Sequence, residues 1–179
     1  MKYCSDCGAP VNLLIPPDEN RLRHVCPSCG KIHYENPKMV VGCIPEWEDK
    51  ILLCRRNIDP KKGKWTLPAG YLENGETVAQ GAGRETREET GAIVDHLSVY
   101  RMFDIPHINQ IYLMFRAEME TAECHPTPES SEVVLLQEAE IPWNEIAFRV
   151  IEKTLRDYFN DRSSGCFPFR IDRISKKHF

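Results

Sequence analysis

The 23 residues from Gly70 to Ala92, GYLENGETVAQGAGRETREETGA, constrain the chain more than any other stretch. Set on a helix, Glu85, Glu88 and Glu89 stand at i, i+3 and i+4, so three carboxylates leave one face within a single turn. Like charges at that spacing repel, and Gly81 and Gly83 each cost a helix interior roughly 1 kcal/mol relative to alanine. Neither choice serves helix stability. Both make sense if a hard divalent cation sits between the carboxylates and another part of the chain packs closely on the glycines. The helix ends are nevertheless well specified. Thr77 and Gln80 have the spacing of a capping box, and Gly91 suits the left-handed position beyond the last turn. Arg84 can reach Glu88 one turn on, or Glu76 upstream, fixing the preceding loop against the helix. A solvated face laced with ion pairs accounts for each residue singly, but not for the set.

A second pattern lies at the N-terminus. Of eight cysteines, Cys4, Cys7, Cys26 and Cys29 form two C-x2-C pairs with 18 residues between Cys7 and Cys26, inside the range of a four-cysteine zinc site. Each pair makes a tight knuckle aiming two sulfurs at one point, and the following Gly8 and Gly30 relieve the backbone where it turns back. Four thiolates close the tetrahedron, so zinc here is expected to be structural. Disulfides or a redox pair fit the doubled motif less well. His24 and His33 lie nearby but are not needed as ligands.

The remainder reads as a mixed α/β body. "MVVGCIPEW" and "KILLCRRN" are strand candidates around an acidic turn, and "GKWTLPAGYLE" leads from a strand into a glycine-containing loop. Beyond the acidic helix, "AIVDHLSVYRMFDI" and "INQIYLMFRAEME" predict strands joined across Pro106, and "VVLLQEAEI" predicts another. "NEIAFRVIEKTLRDYF" carries Ile146, Val150, Ile151, Leu155 and Tyr158 near one helical face. A formal charge of −4 argues against a generic nucleic-acid binder. No apolar run has the length of a membrane span, and Met1 opens no signal or transit peptide, so a cytoplasmic location is expected.

Gly70, five residues, Glu76, seven residues, then Arg84-Glu85-Thr86-Arg87-Glu88-Glu89-Thr90-Gly91-Ala92 resembles the Nudix box, G-x5-E-x7-R-E-U-x-E-E-x-G-U. Thr86 is the one departure, where the family prefers an aliphatic residue facing the core. The resemblance implies an α/β/α sandwich that hydrolyses a nucleoside diphosphate linked to a second group. It divides the chain into a zinc ribbon at 1–36, a Nudix domain at 37–160 and a tail at 161–179. It also implies that Glu85, Glu88 and Glu89 ligate Mg²⁺ or Mn²⁺ with help from the backbone carbonyl near Ala69 and Gly70, while Glu76 and Arg84 hold the loop-helix-loop in shape. "PESSEVVLL" resembles the family segment that brings one more glutamate from a loop, with Glu129 the first candidate and Glu132 the second. Many relatives are dimers, so a homodimer is expected.

A zinc ribbon ahead of the box resembles the NADH pyrophosphatase branch, but the further S-Q-P-W-P-F-P motif of that branch is missing. "VCPSCGKIHYENPKMVVGC", "ILLCRRNIDPKKGKWTLPAGYLENGET" and "IAF" are similar to plant-type FAD pyrophosphatases that also accept ADP-ribose. The expected reaction is therefore cleavage of FAD to FMN and AMP, or of ADP-ribose to ribose 5-phosphate and AMP. NADH pyrophosphatase, or a nucleotide-sensing module without turnover, is the alternative. Aromatic residues at a pocket edge suit a planar ring; Trp65, Tyr71, Phe103 and Tyr112 are the candidates. "DIPHIN", from Asp104 to Asn109, lies where the family places a specificity loop.

Overall fold

The computed structural model describes residues 1–176, and the chain divides into two compact units, Met1–Asn36 and Pro37–Phe179. The first unit carries three antiparallel strands, β1 (Asn12–Leu14), β2 (Arg23–Val25) and β3 (Ile32–His33). Strands this short bury too little surface to hold themselves. The two cysteine knuckles do that work. The N–H of Gly8 donates to the Cys4 carbonyl at 3.0 Å and that of Gly30 to Cys26 at 2.9 Å, both glycines lying at positive φ. The four Sγ atoms lie within 4.8 Å of one another, with Cys4–Cys29 at 3.7 Å and Cys7–Cys26 at 3.4 Å. A tetrahedron with Zn–S bonds of about 2.3 Å has edges of about 3.8 Å, so this sulfur set fits a closed structural zinc site.

The second unit opens with a hairpin, β4 (Lys38–Trp47) and β5 (Lys50–Arg56), turning at Glu48. Then come β6 (Trp65–Thr66), β7 (Ala69–Tyr71), α1 (Val78–Thr90), β8 (Val94–Ile105), β9 (Gln110–Met119), β10 (Ser130–Leu136), α2 (Arg149–Ser164) and β11 (Arg170–Arg173). The sheet runs β10-β5-β4-β9-β8-β11, with β6 beside β5 and β7 beside β4. β4–β9 and β8–β11 are parallel and the other pairs antiparallel, so the sheet is mixed. β4 is shared along its length: Val40–Gly42 pair with β7, while Glu46 and Trp47 pair with β5. The β7 segment fits there only over a residue without a side chain. A methyl group on Gly42 would stand 2.5 Å from both the Pro68 carbonyl oxygen and Ala69 Cβ.

Side-chain alternation along β4 builds the layers. Val41 and Cys43 pack with Ala82 of α1 and with Phe115 and Ala117. Ile44 packs on the other face with Val150, Ile151, Leu155 and Tyr158 of α2, together with Tyr100 and Met114. The result is an α/β/α sandwich.

Two expectations change. The second helix starts at Arg149, so Ile146 precedes it; it bridges to Trp65 as isolated strand-like pairing and packs on the core from there. The segment expected as a tail from 161 is instead part of the second unit. Helix α2 runs to Ser164, Gly165 closes it in the left-handed conformation, and β11 pairs with β8. Asp161 is buried, accepts from the Tyr100 hydroxyl at 2.7 Å and is held by Arg170. Arg101, also buried, pairs with Asp157 at 2.8 Å and with Asp172 of β11. "RIDR" looks like a solvated tail because ion pairs to distant residues, not apolar periodicity, hold it. Residues 177–179 of that expected tail lie outside the described residues.

Candidate active site

The acidic helix is fixed at both ends. Thr77 Oγ1 accepts from the Gln80 N–H at 3.2 Å, the Gln80 side chain accepts from the Thr77 N–H at 2.8 Å, and Gly91 at φ 71° donates to the Arg87 carbonyl at 2.8 Å. Thr86 is fully buried and returns its hydroxyl to the Ala82 carbonyl at 2.9 Å, so threonine at this core-facing position leaves no stranded donor. A methyl on Gly81 would stand 2.7 Å from Glu76 Oε1, which accounts for that glycine; nothing in the structure explains Gly83.

Arg84 organises the loop and the acids together. Its Nε and Nη2 form a fork on Glu76 at 3.0 and 2.8 Å, and Nη2 also reaches the Tyr71 carbonyl at 3.1 Å. Its Nη1 donates to Glu85 at 2.8 Å and to Glu88 at 2.9 Å. Glu76 additionally accepts the Glu73 N–H at 2.8 Å, closing the loop on itself. The Arg84 guanidinium beside Glu76 holds its carboxyl well below the usual range, to about 2.

The three helix acids occupy different surroundings. Glu88 is exposed. Glu85 is half-buried, and burial raises its pKa against the lowering pull of Arg84. Glu89 is buried; it accepts the Ala69 N–H at 3.0 Å, with the Cys54 thiol 3.9 Å away, and burial pushes its pKa up to about 8. The contact seen from Ala69 is thus an N–H to Glu89. Gly70 makes room for Glu85: a methyl there would stand 2.2 Å from its carboxylate.

These acids line a cavity of about 640 Å³, and Glu129 lines it with them. The loop bearing Glu129 is held by the Asn57 N–H on the Glu129 carbonyl at 2.7 Å and by the Asn57 amide on the Pro128 carbonyl at 3.0 Å. Thr127 Oγ1 ties it to α1 through the Glu89 carbonyl at 3.1 Å. Glu132 is not among the lining residues and faces Arg55 at 3.5 Å. Glu85, Glu88, Glu89 and Glu129 form an all-oxygen, anionic donor set, the chemistry a hard cation such as Mg²⁺ or Mn²⁺ takes. Among the described residues only the four sulfurs gather within 4.8 Å of one another; Glu85 and Glu88 are bridged by Arg84 Nη1.

Val40, Ile58, Ile108, Tyr112, Phe148 and Ile151 give the same cavity an apolar and aromatic lining. Of the aromatic candidates, Tyr71 and Tyr112 line the cavity, with the Tyr71 hydroxyl accepting from Gln110 Nε2 at 2.9 Å. Trp65 and Phe103 do not; both are buried in the core between the sheet and α2. Asp104 also lies outside the cavity lining, and its carbonyl accepts the Ile174 N–H. Ile108 is the residue that the "DIPHIN" stretch brings to the cavity. Arg56, Ile58 and Pro60 were not among the expected site residues. Their signal in the sequence is a loop directly following a strand end, a usual place for binding groups.

Comparison with known proteins agrees with this geometry. Residues 2–35 match the family model described as Nudix N-terminal, and residues 36–156 match that of the NUDIX domain. A NAD-capped RNA hydrolase from Photobacterium profundum is 30% identical over 141 residues, 78% of this chain and 51% of the relative. An ADP-ribose pyrophosphatase from Methanocaldococcus jannaschii is 41% identical over 73 residues, 41% of this chain and 43% of the relative. The chain therefore spans about half the length of these curated relatives. The crystal structure of a NUDIX hydrolase from Nitrosomonas europaea superposes with a TM-score of 0.95 at 51% identity, covering 98% of this chain and all of that one. Residues 36–156 and the helix with its three spaced glutamates place the chain in the NUDIX family, with an N-terminal zinc-ribbon unit.

Proposed function

We propose that this protein is a divalent-metal-dependent pyrophosphohydrolase acting on ADP-ribose or a NAD-type dinucleotide. The observation that carries the reading is the cavity itself, lined both by Glu85, Glu88, Glu89 and Glu129 and by apolar and aromatic side chains. A phosphoanhydride flanked by a nucleoside needs both. A cation held by Glu85, Glu88, Glu89 and Glu129 would neutralise phosphoanhydride oxygens and lower the pKa of an attacking water. The chain's own residues do the rest: Arg84 and Glu76 hold the loop, the Ala69 N–H orients Glu89, and the cavity carboxylates offer a base for the water's proton.

The relatives described above shift the substrate away from the FAD reading. One is named for ADP-ribose and one for NAD-capped RNA, and none for FAD or a plant enzyme. They favour the NAD-type alternative even though S-Q-P-W-P-F-P is missing. The capped-RNA name also brings an RNA-linked dinucleotide into the substrate class, which an acidic net charge alone would set aside. The test is a panel of ADP-ribose, NADH, FAD and a 5′-NAD-linked RNA with Mg²⁺ or Mn²⁺, products resolved by chromatography. AMP, or an RNA 5′-monophosphate, is expected from the first two classes or the last ahead of FAD, with loss of activity in Glu89→Gln. Tight binding of all four without turnover in either metal would replace the hydrolase with a sensor.

A further inference from the structure

Arg56 ends β5 within the cavity lining and is the one cationic group there not already committed. Arg84, the other lining guanidinium, is spent on Glu76, Glu85, Glu88 and the Tyr71 carbonyl. Arg56 is held from behind. Its Nε donates to the Pro60 carbonyl at 2.8 Å, and its guanidinium carbon lies 5.2 Å from the Phe148 ring centroid. Its own backbone is clamped by the Arg56 N–H on the Lys64 carbonyl at 2.9 Å and the Gly63 N–H on the Arg56 carbonyl at 2.7 Å. Among the described residues, neither Nη nitrogen has a hydrogen-bond or ion-pair partner.

A guanidinium fixed at Nε and stacked on one face has lost most of its rotational freedom and presents two Nη groups as a planar fork. That fork matches the oxygens of a phosphate. Its position fits the same role. It lines the cavity together with Glu85, Glu88, Glu89 and Glu129 and with Tyr112. Phe148 lines the same cavity.

We propose that Arg56, held by Pro60 and Phe148, is a phosphate-recognition residue that selects ligands carrying a nucleoside diphosphate. The inference rests on the reading of this cavity as a phosphoanhydride site. The acidic helix takes the phosphate under attack, and Arg56 takes the neighbouring phosphate of the same diphosphate.

The experiment is calorimetric binding of α,β-methylene-ADP, whose bridging carbon resists hydrolysis, in the presence of Mg²⁺, with adenosine as the uncharged control. Arg56→Gln is expected to weaken the analogue by roughly 10- to 100-fold, the range of a charge-assisted hydrogen-bonded pair. It should leave adenosine within about twofold and leave the melting temperature close to that of the unmodified protein. Arg56→Lys should recover part of the loss through charge, without the fork. Phe148→Leu should lose less than Arg56→Gln, because it loosens the guanidinium without removing it. Equal affinity of Arg56→Gln and the unmodified protein for the analogue overturns the proposal, as does an equal loss for adenosine. Failure of the unmodified protein to bind the analogue also overturns it. Because no turnover is read, absence of hydrolysis in the dinucleotide panel would sink the proposed reaction separately.

Discussion

Replacing Gly70 by alanine separates the site from the fold. Gly70 sits on β7, paired with Val41, and its backbone is not in the left-handed region, so alanine adopts the conformation without strain. The new methyl, however, would stand 2.2 Å from the Glu85 carboxylate, where ordinary contact begins at 3.4 Å. The carboxylate must therefore retreat by the difference, about 1.2 Å. It is the end of a flexible side chain, so rotating Glu85 relieves the clash without unfolding anything. The retreat takes Glu85 away from Arg84 Nη1, now at 2.8 Å. A displacement on this scale exceeds the roughly 0.2 Å tolerance of a metal–ligand distance and costs on the order of 100-fold in rate. The assay is AMP release from ADP-ribose across a Mn²⁺ titration, read beside thermal unfolding. We expect kcat/KM to fall by about two orders of magnitude and half-saturation to need more metal, with melting little changed. A kcat/KM and metal dependence within twofold of the unmodified protein would refute the role given to Glu85. A collapse in melting temperature would refute the claim that the side chain, not the backbone, gives way.

Further outcomes follow from the ion pairs and the thiols. Because Glu76 lies at about 2 when folded, below its ordinary 4.5, its contribution to stability is present above pH 4.5 and fades as pH falls toward 2. Arg84→Met should therefore flatten the difference in denaturation midpoint between those two pH values. Cys26→Ser should remove bound zinc, measured by elemental analysis, and make residues 1–36 protease-sensitive while residues 37–179 keep a cooperative transition. Truncation after Gly165 removes Asp172 from buried Arg101, with an expected loss of about 3 kcal/mol, or roughly 10 °C in melting temperature. An unchanged melting curve would show that β11 contributes nothing to the fold.

What could be read from the sequence was what is encoded locally. The limits of α1 follow from Thr77, Gln80 and Gly91, all within a turn of the ends they define, and the cysteine knuckles from two four-residue windows. The identity of the acidic helix follows from fixed spacing over one short stretch. The chain's longer-range choices were not legible. Trp65, Phe103, Tyr71 and Tyr112 are alike as residue types, and only the side of the sheet on which each stands separates core from cavity. Ile146 keeps helical spacing with α2, yet it is drawn off to bridge Trp65 before the helix begins. Asp161 and Arg101 look like surface charges until Arg170 and Asp172 arrive from β11 to pair with them. Arg56 reads as one more residue of a strand in the sequence, and only the fold shows that the strand ends at a cavity.

β11 has a consequence for how the protein behaves in a crowded solution. It is four residues long and mostly charged, and it covers part of one side of β8, a strand of twelve residues. A long bare strand margin is a template for pairing with another unfolding chain, whereas a short charged one is a poor template. The last segment thus shields one margin of the sheet from intermolecular growth as well as completing the domain.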